Sequence, residues 1–154
     1  MKRSAGILLY RRAADGAPAL LIAHMGGPFW SNRDAGAWSI PKGELDEGDD
    51  ALTAALREFE EELGSPPPVV DPVELGEVTQ AGGKRVVVFA AEADFDVDTL
   101  HSNTFVVEWP RGSGRQQEFP EIDRAAWVSP DDARTKLVQG QVAFVDRLLS
   151  YLDR

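Results

Sequence analysis

Apolar positions along the chain fall into compact runs separated by turn-forming residues, and the period of each run predicts an element. Residues 4–11 and 19–24 read as two strands, split by the turn-like segment Ala14-Asp15-Gly16-Ala17-Pro18. Gly26, Gly27 and Pro28 open a loop that runs through Asn32, Asp34 and Gly36, followed by a short strand at 37–40 that Pro41 ends. A polar loop follows Gly43. Residues 50–63 take helical spacing, with Gly64 as a C-terminal stop and three prolines just beyond. Further strands fit 73–79, 85–93, 104–109 and 125–128, the first two joined by a hairpin at Gly82-Gly83. Ser129 and Pro130 cap and start a helix to about residue 137, and residues 141–152 have the spacing of a final amphipathic helix. No repeat, low-complexity tract or linker interrupts the pattern. It predicts one domain over residues 1–154, a mixed sheet packed by a few helices.

Composition narrows the chemistry. The chain of 154 residues has no cysteine, which removes disulfides, thiolate catalysis and sulfur-ligated zinc. Two histidines, His24 and His101, are too few for a poly-imidazole metal site. No apolar run approaches the roughly 18–20 residues needed to cross a bilayer. The basic start is followed at once by more basic residues and no small-residue cleavage site, so it reads as a first strand and the expected location is cytoplasmic.

The charge is uneven. Of the net −10, residues 43–62 carry −8: nine acidic groups against the single base Arg57. Such a block opposes binding to a nucleic-acid polymer, which depends on cations neutralising phosphates. At 100° per residue, Leu52, Ala55, Leu56, Phe59 and Leu63 form a core face of the predicted helix. Glu58, Glu61 and Glu62 cluster in the neighbouring sector, while Glu60 projects from the other flank. Like charges at these spacings cost a helix roughly 0.2–0.5 kcal/mol per pair. A convergent set of carboxylates is what a hard divalent cation requires. On geometry alone this reading and that of a solvated acidic face stand side by side.

The run Gly43-(five residues)-Asp49-(seven residues)-Arg57-Glu58-Phe59-Glu60-Glu61-Glu62-Leu63-Gly64 resembles the Nudix box, G-x5-E-x7-R-E-U-x-E-E-x-G-U with U a bulky apolar residue. The preceding Trp38-Ser39-Ile40-Pro41-Lys42-Gly43-Glu44 resembles the family's usual approach to it. Two positions depart from the pattern: Asp49 stands for the first glutamate and Ser65 for the last apolar residue. Asp49 keeps the charge, one methylene shorter, and is placed to pair with Arg57 or to cap the helix; Ser65 affects packing after the turn. The resemblance implies an α/β (α+β) fold, the Nudix-type αβα sandwich with a mixed central sheet.

It also implies an enzyme, one that uses Mg²⁺ or Mn²⁺ to hydrolyse a phosphoanhydride in a nucleoside diphosphate linked to another group. Glu58, Glu61 and Glu62 match the family's metal-ligand positions and the Gly43 carbonyl a backbone ligand. Arg57 orients the carboxylates or the box loop, or forms an i,i+4 salt bridge to Glu61. Lys42 is placed to contact a phosphate. Glu121 resembles a glutamate that several members use as an extra metal ligand or base, assisting Glu61 or Glu62, with Glu118 and Asp123 as rivals. Phe29 and Trp30, in a Gly- and Asp-rich loop, are candidates to stack on a base, whereas Tyr10, Phe105 and Trp127 are expected in the core. The expected substrate is a nucleoside triphosphate or a dinucleoside polyphosphate such as diadenosine tetraphosphate. Diphosphoinositol polyphosphates would need Arg11, Arg12, Lys84, Arg85 and Arg111 brought together. The alternative is a noncatalytic Nudix-fold module that binds a nucleotide or a protein. Neither case involves a membrane, and the chain is expected as a monomer or homodimer. A calcium-binding domain ranks last, because residues 46–50 lack the ligand rhythm of an EF-hand loop.

Overall fold

A computed structural model describes residues 2–68 and 71–153. Its frame is β1 (Arg3–Arg12), whose run Ala5–Tyr10 is buried on both faces, as the continuous apolar stretch requires of a central strand. Along one side β1 runs parallel to β6 (Arg85–Glu92), which pairs antiparallel with β5 (Val73–Thr79). On its other side two partners divide β1. Near Tyr10 it meets β2 (Pro18–Met25), and near Ala5 it meets the short β4 (Lys42–Glu44), both antiparallel. β2 continues outward to β3 (Trp38–Ser39) and to β9 (Ile122–Val128). The sheet is therefore mixed, with seven strands among the described residues. β7 (Thr104–Glu108) and β8 (Gln116–Pro120) form a separate antiparallel hairpin.

Alternation along the strands sends side chains into two cores. Ile7, Leu9, Leu21 and Val87 meet α1 (Ala51–Leu63) through Ala55, Phe59 and Leu63. Leu8, Leu20, Ile22 and Val88 meet α2 (Pro130–Lys136) and α3 (Ala143–Leu152) through Ala133, Phe144, Val145 and Leu148. Helices thus cover both faces of a mixed sheet, the expected αβα arrangement. Asp50 caps α1 by accepting the Thr53 N–H at 3.0 Å, and Gly64 ends it at φ 93° with its N–H on Glu60 O. Ser129 caps α2, with Pro130 in its first turn. The Gly82-Gly83 turn closes β5 to β6 as its pattern predicts, both glycines at positive φ. Among the described residues, no helix is long and apolar enough to cross a membrane.

Several expectations shift. Leu52 and Leu56 are half-buried, and Ala54 joins the helix's buried face. Phe105 lies outside both cores, half-buried on the hairpin near Phe119 and Gly27, because β7 leaves the main sheet. Tyr10 is in the core, and Trp127 packs on it from the edge. The last helix begins at Ala143, residues 139–141 forming a 3₁₀ turn.

That turn carries a fully buried side chain. Gln141 Oε1 accepts the Ile40 N–H at 2.8 Å, and its Nε2 donates to Ser39 Oγ at 3.0 Å, tying α3 to the segment that enters the box. Removing the amide strands a buried backbone donor at a cost of roughly 1–3 kcal/mol. Denaturant unfolding of Gln141→Leu should show a loss of about 2 kcal/mol; unchanged stability would mean that Ile40 does not depend on this bond.

Candidate active site

Pairing of β4 on β1 sets Gly43 opposite Ala5, and α1 runs back over the strand. A Cβ on Gly43 would lie 2.0 Å from the Glu58 Cδ, so the missing side chain is what lets the Glu58 carboxyl close on the backbone there. One turn on, Glu62 Oε1 accepts the Lys42 N–H at 3.0 Å. Arg57 reaches out of the helix instead of along it: its Nη2 lies 3.6 Å from Asp49 and 3.7 Å from Glu58, so the i,i+4 pairing with Glu61 is not the one adopted. Asp49 also accepts the Asp46 N–H at 2.9 Å, which leaves capping to Asp50.

Glu121 comes to the same place through the backbone. Asn103 N–H donates to Glu61 O at 3.0 Å, Glu121 N–H to Asn103 O at 2.8 Å, and Gly26 N–H to Glu121 O at 2.8 Å. A Cβ on Gly26 would sit 2.0 Å from Pro120 O, so this close approach requires glycine. The rival acids go elsewhere. Glu118 is exposed on β8, and Asp123 faces His24 Nδ1 at 2.8 Å and Arg124 at 3.5 Å. His24 is fully buried, and its Nε2 donates to the Arg33 carbonyl at 2.7 Å, pinning the 26–36 loop to β9.

Burial and crowding act on the carboxylates together. Glu62 is 8 % exposed, and burial pushes its carboxyl up to about 8 against the opposing pull of Lys42, with Glu121 and Glu58 adding to the rise. Glu58 is raised by burial first and then by the Glu61 charge beside it. Glu121 is raised by burial and by Glu61. Among the described residues no three acidic or imidazole side chains stand in ready coordination geometry. The donor chemistry nevertheless fits a hard cation: carboxylate oxygens that destabilise one another's charge, beside a glycine backbone, with Glu60 turned outward.

Beside Glu62 lies a cleft of about 360 Å³ whose lining includes Ser39, Lys42, Gln80, Lys84 and Gln141. Lys84 comes from the turn before β6, and spacing in the sequence gives no hint that it faces Lys42; only the parallel pairing of β6 with β1 brings them together. The other basic residues scatter. Arg11 pairs with Asp94 and lies over Trp127, Arg12 faces Glu92, and Arg85 faces Glu77, so among the described residues no dense basic patch forms. Phe29 is 41 % exposed, whereas Trp30 packs partly into the core under Arg33.

The sequence profile of the NUDIX domain matches residues 1–148. The chain belongs to the Nudix family. Nudix hydrolases generally use divalent metals, in accord with the donor set. An 8-oxo-(d)GTP phosphatase of Mycolicibacterium smegmatis is 31 % identical over 144 residues, 88 % of this chain and 37 % of that protein, so the chain spans little more than a third of that relative. Among solved structures, a C. elegans Ap4A hydrolase in a binary complex aligns with TM-score 0.66 and 21 % identity over 99 % of this chain and 98 % of its own. The Nudix hydrolase RenU from M. smegmatis aligns with TM-score 0.60 and 26 % identity, covering 97 % of this chain and 84 % of its own. The NUDIX domain of Shewanella oneidensis NrtR, complexed with ADP ribose, aligns with TM-score 0.62 and 15 % identity over 97 % and 87 %.

Glu62 also makes this Nudix chain's stability depend on pH. Its folded-state value lies above the ordinary 4.5, so the native state holds the proton more tightly than the unfolded chain. Stability is therefore lost as pH rises from about 4.5 through about 8. In metal-free buffer the melting temperature should fall between pH 5 and 8, and Glu62→Gln should raise it at pH 8 by at least ~4 °C. A Gln variant no more stable than wild type at pH 8 would contradict the burial argument.

Proposed function

We propose that the chain is a cytoplasmic, single-domain hydrolase, a monomer or homodimer, that uses Mg²⁺ or Mn²⁺ to cleave a phosphoanhydride bond in a nucleoside triphosphate or a dinucleoside polyphosphate such as diadenosine tetraphosphate. The observation that carries this reading is the meeting of Glu58, Glu61, Glu62 and Glu121 around Gly43, next to a cleft lined by Lys42 and Lys84. A polyanionic substrate would be repelled by these carboxylates unless positive charge lay between. In this reading Glu58, Glu61, Glu62 and the Gly43 carbonyl hold the cation, which when bound neutralises phosphate oxygens and acidifies a water.

The remaining roles belong to the chain itself. Lys42 and Lys84 take the phosphate chain along the cleft, Arg57 holds the Asp49 loop against Glu58, and Phe29 stacks on a base, with Trp30 backing it from the core side. Glu61 or Glu62 takes the proton of the attacking water, with Glu121 assisting. Names of similar proteins support a nucleotide substrate, one being an Ap4A hydrolase and another an 8-oxo-(d)GTP phosphatase.

Glu61→Gln and Gly43→Ala should each lower turnover by about 10²-fold or more, the second because its methyl would displace the Glu58 carboxyl. Glu60→Gln should stay within about twofold of wild type, since its side chain points to solvent. Equal losses at Glu60 and Glu61 would refute the assignment. A nucleotide panel run with Mg²⁺ in ¹⁸O-labelled water identifies the substrate and the attacked phosphorus, and silence across the panel would favour a noncatalytic binding module.

A further inference from the structure

The described cations divide sharply by partner. Most lie within 4 Å of a carboxylate, and Arg147 donates to the carbonyls of Leu75 and Glu77. Among the described residues, Arg33, Lys42, Lys84, Arg111 and Arg115 have no carboxylate that close. Lys42 and Lys84 line the cleft beside Glu62. The other three lie outside the lining of that cleft, on the 26–36 loop and at the turn of the β7–β8 hairpin.

That hairpin is built into the site. Its base is Asn103 and Glu121, bonded to each other, with the Asn103 N–H donating to Glu61 O. Its inner face meets the 26–36 loop so closely that a Cβ on Gly27 would lie 2.6 Å from the Phe105 ring. At its far end Trp109 packs edge-on against Phe29 at 5.5 Å, and the Arg111 guanidinium lies 5.1 Å over the Phe29 ring. Among the described residues Phe29 is one of two large apolar side chains left exposed, and it follows Gly26 by three residues. Since Gly26 is bonded to the Glu121 carbonyl, the Phe29 backbone lies within about 11 Å of Gly26. The 26–36 loop thus joins the aromatic cluster to the backbone that carries Glu121.

We propose that Phe29, Trp109 and Arg111 form a second subsite, which receives a nucleobase at the far end of the phosphate chain, with Arg111 and Arg115 countering the phosphates nearest to it. This rests on the hydrolase reading above and narrows it to two-ended substrates. An exposed ring beside an unpaired guanidinium suits a flat base joined to phosphate, because stacking accepts any base and the cation offsets the negative charge. The acidic half of the site cannot supply that attraction. A nucleoside triphosphate can place its single base at only one end of the phosphate chain, whereas a dinucleoside polyphosphate places one at each.

Calorimetry with methylene-bridged, nonhydrolysable analogues of a dinucleoside tetraphosphate and of a nucleoside triphosphate, in Mg²⁺, tests this without turnover. Wild-type protein should bind the two-ended analogue about tenfold or more tighter. Arg111→Gln and Trp109→Leu should each cut that ratio to about threefold or less; the Arg variant spares the hairpin if the Trp variant misfolds. Equal affinities in the wild type, or a ratio that neither folded variant changes, would overturn the subsite. A retained ratio in wild-type protein that hydrolyses no nucleotide would remove the hydrolase reading and leave the subsite standing.

Discussion

Carboxylates crowded against one another, with Glu62 buried and Glu58 half-buried, are the constraint around which this molecule is arranged. Glu62 suffers most, being almost wholly buried, with the Lys42 N–H donating to it at 3.0 Å. A carboxylate in that position is stable only when protonated or when a cation is near. The fold offsets the crowding only in part: Arg57, the one base on the helix, is shared between Asp49 and Glu58. Protonation relieves Glu62 in the metal-free chain, and in the proposed function a bound cation takes the proton's place.

The scaffold explains how such a cluster is held. β1 presents different partners along its length, and the β4 edge it captures near Ala5 fixes Gly43 under the helix. Phe59, packed edge-on against Phe95, locks the helix's rotation, so Glu58 and Glu62 turn inward while Glu60 turns out. Glycine at residues 26 and 43 removes the bulk that would keep the second acidic segment and the box backbone apart.

The helix, its glycine stop and its acidic sector were legible because each is a local matter of spacing and end residues, whereas the cap falls to Asp50 and not to Asp49. The central strand was legible because an uninterrupted apolar run has few other fates. β4 and β8 were not: Lys42-Gly43-Glu44 and Gln116–Pro120 have poor strand composition, and they extend only because a neighbouring strand offers hydrogen bonds. The same long-range pairing brings Lys84 beside Lys42 and lifts Phe105 and Trp109 away from the core onto a hairpin, where no periodicity in their own segment would place them. Glu121 could be picked from its neighbours by resemblance alone; the loss of Asp123 to His24 is a tertiary fact.

The most direct test of the central claim is the number of protons released when Mg²⁺ binds, measured by calorimetry in buffers of different ionisation enthalpy. With Glu62 pushed up to about 8, binding at pH 7 should expel close to one proton per bound cation, falling toward zero by about pH 9.5 and absent in Glu62→Gln. Binding at pH 7 with no proton released, or no binding at all, would contradict it.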